Sequence, residues 1–311
     1  MSHNITDLSS HSSYSKRKYY KRIPFLDSMV KSVRSFFRNL TNKPIRNQLA
    51  ELENLPLLHQ AKVFQSNHSN PLNKFGKKCF SQTDEDGITL EILRRIKQID
   101  DGFYAEFGVG DGTENNTLIL AALGWKGFWV GGEKLKIDVD SANHKNFAYL
   151  REWIALENIS DLTEKGCAKI NSEKLDVISL DLDGNDIYFV EKLLADGFKP
   201  KLFVVECNSK FPPPIKFQIA YDPEHIWKSD GYYGAPLTSF NDLFNNFGYK
   251  LICCNSHTGV NAFFIETTYS DLFSDVPADI NQIYVEPRFR RYTKYGKTQS
   301  LRTINSIING N

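Results

Sequence analysis

Along the middle of the chain the apolar positions keep changing period. Glu85 to Ile96 (EDGITLEILRRI) places them at helical spacing, Gly102 to Phe107 is a short apolar run, and Asn116 to Leu123 returns to the helical period. Phe128-Trp129-Val130, Trp153-Ile154-Ala155-Leu156, Asp176 to Leu182 (DVISLDL) and Lys201 to Glu206 (KLFVVE) follow as strand-like runs, with a helix over Ile187 to Leu194 between the last two. A helix from Leu237 to Phe247 then leads to two terminal strands, Tyr249 to Cys253 and Ala262 to Ile265, joined by a short loop containing Gly259. Alternation of strands and helices predicts an open α/β domain built on a parallel sheet, and the terminal pair predicts a closing hairpin.

The flanks follow another pattern. Residues 1–15 carry Ser, His and Asn with few apolar groups and are expected to be disordered. From 16 to 46, ten Lys and Arg face only Asp27, while Phe25, Met29, Val33, Phe36, Phe37 and Leu40 recur at helical spacing. This basic amphipathic helix suits either peripheral contact with an anionic membrane face or a partner's groove, or packing of its apolar stripe on the domain; a mitochondrial presequence is a third reading. The expected organisation is an extension over 1–50, a linker over 51–78, the α/β domain over 79–268 and a C-terminal flap or tail over 269–311, whose Arg288, Arg290, Arg291 and Lys294 stand beside Phe289 and Tyr292.

Composition narrows the class only slightly. With 41% hydrophobic and 24% charged residues and a formal charge of +1, the 311-residue chain has no global electrostatic reason to bind nucleic acid. The five cysteines lack CxxC spacing, which speaks against a zinc knuckle and for a reducing, cytoplasmic setting. No apolar run approaches the roughly 20 residues that span a bilayer.

The chemistry starts at Glu106-Phe107-Gly108-Val109-Gly110-Asp111-Gly112, set between a strand and a helix. Missing side chains let such a loop turn tightly and bring backbone N–H groups to a ligand. A dinucleotide fingerprint needs a third glycine where Thr113 stands, so the E-x-G-x-G-x-G spacing favours the nucleoside of S-adenosylmethionine (SAM) over a nicotinamide cofactor. Glu133, beyond the next strand, stands where a ribose-binding acid is needed; its alternative is a solvated loop acid.

A second cluster, Asp181-Leu182-Asp183-Gly184-Asn185-Asp186, ends the fourth strand, and Glu206-Cys207-Asn208 ends the fifth. Ligands of open α/β sheets bind outside the carboxyl ends of the strands, so these groups should meet at one crevice. Carboxylates held together need a shared proton or a cation, which leaves three readings. Asp183, Glu206 and Asn208 bind Mg²⁺ or Mn²⁺; Asp183 or Asp186 acts as a metal-free general base; or Asn185 and Asp186 merely cap the following helix.

Taken in order, Ser81-Gln82 with Glu85-Asp86-Gly87, AEFGVGDGTENNT, GWKGFWV, LDLDGND, VVECNS, YYGAPL and GVNAFF make the chain from about Cys79 to Arg302 resemble the FkbM-like branch of class I SAM-dependent methyltransferases. The resemblance implies a Rossmann-like, doubly wound seven-stranded sheet and methyl transfer to a hydroxyl, often on a sugar or natural product. It implies that Glu106, Gly108 and Gly110, with Gly112 in the same loop, hold SAM, that Gln82 and Glu85 lie near its methionine end, and that Asp183 and Asp186 face the acceptor. The ribose acid of similar proteins stands at the position of Gly131, so Glu133 would act from two residues further on.

The insertion from Phe211 to Tyr233 gathers Phe211, Phe217, Tyr221, Trp227, Tyr232 and Tyr233 around three prolines. Tyr232 and Tyr233 are candidates for stacking on an acceptor, against the alternative of a satellite core. His257, beside the closing turn, is a candidate base; it and His225 otherwise read as surface or core residues, and Trp125 and Trp129 as packing residues. Two rival functions stay open: a non-catalytic module of the same fold in a glycan-assembly complex, and a nicotinamide-dependent dehydrogenase.

Overall fold

The computed structural model describes residues 59–138, 146–228, 231–287 and 301–309. The basic segment 16–46, the expected disorder over 1–15 and the aromatic, basic stretch 288–300 lie outside them. None of the helices among the described residues is long and apolar enough to cross a membrane.

Seven strands form one sheet in the order β3-β2-β1-β4-β5-β7-β6. They are β1 (Phe103–Phe107), β2 (Lys126–Gly131), β3 (Phe147–Arg151), β4 (Val177–Leu180), β5 (Leu202–Glu206), β6 (Tyr249–Cys254) and β7 (Asn261–Glu266). The first five pair in parallel, and β7 enters antiparallel between β5 and β6. This is the doubly wound seven-stranded architecture of the Rossmann-like methyltransferase fold. Its central strands read as near-continuous apolar runs because helices cover both faces; β4, VISL, is buried throughout.

Residues 59–67 form helix α1, followed by a 3-10 turn, Pro71–Phe75. Within this stretch Asn70 donates to the carbonyl of Ile252 (2.7 Å) and Asn73 to that of Cys254 (2.9 Å), anchoring it to β6. Helix α2 (Glu85–Arg95) buries Ile88, Ile92 and Leu93, with acids in its first turn and Arg94 and Arg95 in its last, as the helix dipole favours. After β1 comes α3 (Leu118–Ala122), then α4 (Ile159–Lys169), α5 (Asp186–Ala195) and α6 (Leu237–Asn246). The short α7 (Ile280–Ile283) and α8 (Leu301–Asn309) complete the described helices.

Two local expectations are corrected. The third strand is Phe147–Arg151, which pairs with β2, and Trp153-Ile154-Ala155-Leu156 is a loop. The apolar signal misleads there because Trp153 stays 60% exposed, its indole N–H donating to the Pro223 carbonyl at 3.2 Å. Helix α4 has no counterpart in the sequence reading. Its Gly166 lowers helix propensity by about 1 kcal/mol relative to Ala, yet a Cβ there would run into the Phe128 ring, so the residue serves helix-to-sheet packing.

Candidate active site

The strand order reverses between β1 and β4, and the loops leaving these two strands touch. Gly108 adopts φ +85°, and a Cβ on it would collide with the carbonyl oxygen of Asp181. Gly112 also has positive φ (+82°) and faces Leu135, Ile137 and Trp129. Gly110 differs: at φ +49° it has nothing within 4 Å of the Cβ direction, so its backbone borders open space. This is the crevice where a doubly wound sheet takes its ligand.

The side chains around the glycine loop hold it rigid. Glu106 is buried and spends both oxygens on the start of α3, accepting from the Asn116 N–H (2.9 Å), the Thr117 N–H (3.0 Å) and the Thr117 hydroxyl (2.5 Å). Burial pushes its carboxyl pKa up, and these hydrogen bonds oppose the rise. Glu106 therefore shapes the loop from behind. Asp111 accepts from the Thr113 hydroxyl and pairs with Lys136 at 2.6 Å, which holds its carboxyl below the usual range. Glu133 is exposed two residues past β2; the Tyr149 hydroxyl, 2.8 Å from the Gly131 carbonyl and 2.5 Å from that of Glu133, fixes the turn presenting it.

At the ends of β4 and β5, Asp181, Asp183 and Glu206 bring carboxylate oxygens within 4.8 Å of one another. Burial, then the charges of Asp186 and Asp183, raise the Asp181 pKa to about 8. Glu206 is pushed well up by burial and then by Asp181. Carboxylates held this close favour sharing a proton. Asp183 is exposed and sits at φ +56°, a left-handed conformation that costs a non-glycine residue roughly 1 kcal/mol or more. The all-oxygen donor set, confined without a countercharge, fits a hard divalent cation.

The other expected site residues separate into those at the crevice and those behind it. Asp186 is fully buried and accepts from the Leu182 N–H (2.7 Å) and the Gly184 N–H (2.9 Å); it builds the loop that presents Asp183. Asn208 is buried and donates to the carbonyls of Gly231 (3.0 Å) and Tyr233 (2.8 Å), so its amide positions the tyrosine pair. Tyr233 is buried near the acidic cluster; burial, then Glu206, raises its pKa. Tyr232 is 53% exposed on the rim. Glu85 is buried, bonded to Thr83 and to Asn261 at the start of β7, whereas Gln82 is exposed with its carbonyl held by Lys78. His257 is buried in the β6–β7 turn, whose neighbours Asn255 and Ser256 bond to Thr83 and Asp84.

Two residues at the crevice escaped the sequence reading of the site. Asp181 was visible as the first acid of LDLDGND, but only the fold shows that it joins Asp183 and Glu206. His225 has no sequence signal. Asn185 and Asp222 exchange hydrogen bonds (2.7 and 3.2 Å), and the His225 N–H donates to Asp222 (3.0 Å). This lays the imidazole against Gly184, the residue next to Asp183. Its Nε2 is shielded from solvent and without a hydrogen-bond partner among the described residues.

No protein-family model matches the chain, and no curated protein matches it. Among solved structures it is similar to cofactor-bound Rv0187 from MTB, with 12% identity and a TM-score of 0.39 over 68% of this chain and 90% of that one. It is also similar to the MycE methyltransferase of the mycinamycin pathway, in complex with Mg, SAH and mycinamycin VI, with 12% identity and a TM-score of 0.29 over 57% of this chain and 45% of that one. Against the fibrillarin/Nop5p complex the identity is 13% and the TM-score 0.29, over 53% of this chain and 71% of that one.

Proposed function

We propose that the chain is a SAM-dependent O-methyltransferase of the FkbM-like branch, acting on a hydroxyl of a sugar, glycan or natural product. The observation that carries this is the meeting, at the strand-order reversal, of an open-faced glycine loop with the Asp181, Asp183 and Glu206 carboxylates. The domain over 79–268 would hold both halves of the site.

When bound, SAM supplies a sulfonium-activated methyl group, and a divalent ion held by Asp181, Asp183 and Glu206 supplies charge neutralisation and a lowered pKa for the acceptor hydroxyl. The chain's own residues orient and deprotonate. Gly108 to Gly112 receive the nucleoside along the backbone, and Glu133 stands where it can accept from ribose hydroxyls. Asp183 holds the acceptor oxygen, with His225 Nε2 free to take its proton. Tyr232 and Tyr233 wall the acceptor side, with the Phe217 ring 6.2 Å from that of Tyr232. Membrane contact through residues 16–46 belongs to the same proposal, as a means of meeting lipid-linked acceptors on the cytoplasmic side.

Calorimetry with S-adenosylhomocysteine (SAH), followed by radiolabelled methyl transfer from SAM over glycan and lipid-linked extracts, tests the reading. Binding of SAH with label incorporation is expected; NAD(H) binding in its place would establish the dehydrogenase, and SAH binding without transfer to any extract the non-catalytic module. Asp183→Ala should lower turnover at least a hundredfold and leave SAH affinity within about twofold, since the residue lies past the end of β4 rather than in the glycine loop. A large loss of SAH affinity would move Asp183 to the cofactor side.

A further inference from the structure

We infer that the C-terminal helix α8 is a positioning element for the cofactor: through Asn305 it fixes the 132–138 loop that carries Glu133 to the glycine loop. The inference rests on the SAM reading of that loop. Ile304 and Ile308, one turn apart on α8, are buried in the hydrophobic core, and α8 packs against α3, the helix that follows the glycine loop. On the turn between them Asn305 is half-buried, and its side-chain oxygen accepts from the Asp138 N–H at 3.0 Å.

That bond holds one end of a loop whose other attachments lead to the cofactor side. Lys136 donates its N–H to the Asp111 carbonyl (2.8 Å) and pairs with the Asp111 carboxylate. Leu135 and Ile137 are buried beneath Gly112, and Tyr149 fixes the entrance at Gly131 and Glu133. The entrance is thus tied by β3, the middle by the glycine loop, and the exit by a residue 167 positions away in sequence. An exposed hydrogen bond of this kind contributes only about 1 kcal/mol to folding. Its larger effect is expected on a loop that must be ordered before it can bind, because a loop already fixed costs less entropy on binding.

The test measures SAH affinity by calorimetry, melting temperature, and hydrogen exchange over 132–138 in the full chain. Asn305→Ala removes the tether and leaves Ile304 and Ile308 in place. Its SAH dissociation constant should rise about threefold with faster exchange over the loop and a melting temperature lowered by no more than about 2–4 °C, and Asn305→Asp, which keeps an acceptor oxygen, should recover part of the loss. The double variant Ile304→Asp/Ile308→Asp, which undocks the helix, should raise it about tenfold or more. Unaltered SAH affinity in Asn305→Ala overturns the inference, whether or not the double variant loses stability, because α8 would then be structural only. If the unmodified chain binds no SAH, the methyltransferase reading fails first and takes this inference with it.

Discussion

Gly108→Ala should cost the protein several kcal/mol of stability, roughly 3 or more, and abolish SAH binding. Two separate penalties combine. At φ +85° any Cβ is strained, and here the Cβ would also overlap the Asp181 carbonyl at the end of β4, a backbone atom that no rotamer change can move aside. The Gly108 N–H meanwhile donates to the Val130 carbonyl and the Asp181 N–H to Phe107, so the loop cannot retreat without breaking the pairing of the central strands. Relief would require separating β1 from β4 where the crevice opens.

Gly110→Ala is the control that separates folding from binding. Its φ of +49° costs about 1 kcal/mol with a side chain, but nothing lies within 4 Å of the new methyl. That variant should fold with a modestly lower melting temperature and lose SAH affinity at least tenfold, because the methyl enters space reserved for the ligand. If Gly108→Ala melts like the parent protein, the close approach of the two loops is wrong; if Gly110→Ala binds SAH normally, the open face does not belong to the cofactor.

The contrast also shows how much the sequence could say. Period and turn residues placed nearly every strand of the sheet, because buried central strands such as Val177–Leu180 are predominantly apolar and because the glycines needed for positive φ appear as letters. What stayed illegible depends on tertiary partners. Glu106 looks the same in sequence whether it faces a ligand or caps α3, and only the Asn116 and Thr117 N–H groups decide. Asp183 and Asp186 sit three residues apart in one motif, yet one is exposed in a left-handed turn and the other is buried, holding that turn together. His225 reaches the site through Asp222, whose backbone exchanges hydrogen bonds with Asn185, a contact across 37 positions that no local pattern announces.

The acidic cluster carries the second large prediction, and its sign follows from burial. Asp181 has an ordinary pKa of 3.8 and one of about 8 in the folded chain, so between these values the native state holds a proton that the unfolded chain has released. That contribution to stability is complete below about pH 4 and is lost as the pH rises through about 8, a loss deepened by Glu206, which is shifted the same way. With a chelator present, the melting temperature should therefore fall steadily from pH 5 to 8.5, and millimolar Mg²⁺ should restore it at the upper end by binding only the folded form. Asp181→Asn removes one of the confined charges. It should stabilise the chelated protein at pH 8 by roughly 1–3 kcal/mol, flatten the pH profile, lose the response to Mg²⁺, and lower methyl transfer a hundredfold or more. A stabilised but inactive variant would mark a cluster retained for chemistry at a cost in stability. A flat profile in the parent chain together with indifference to both EDTA and Mg²⁺ would rule out the cation and leave hydroxyl deprotonation to Asp183 and His225 alone.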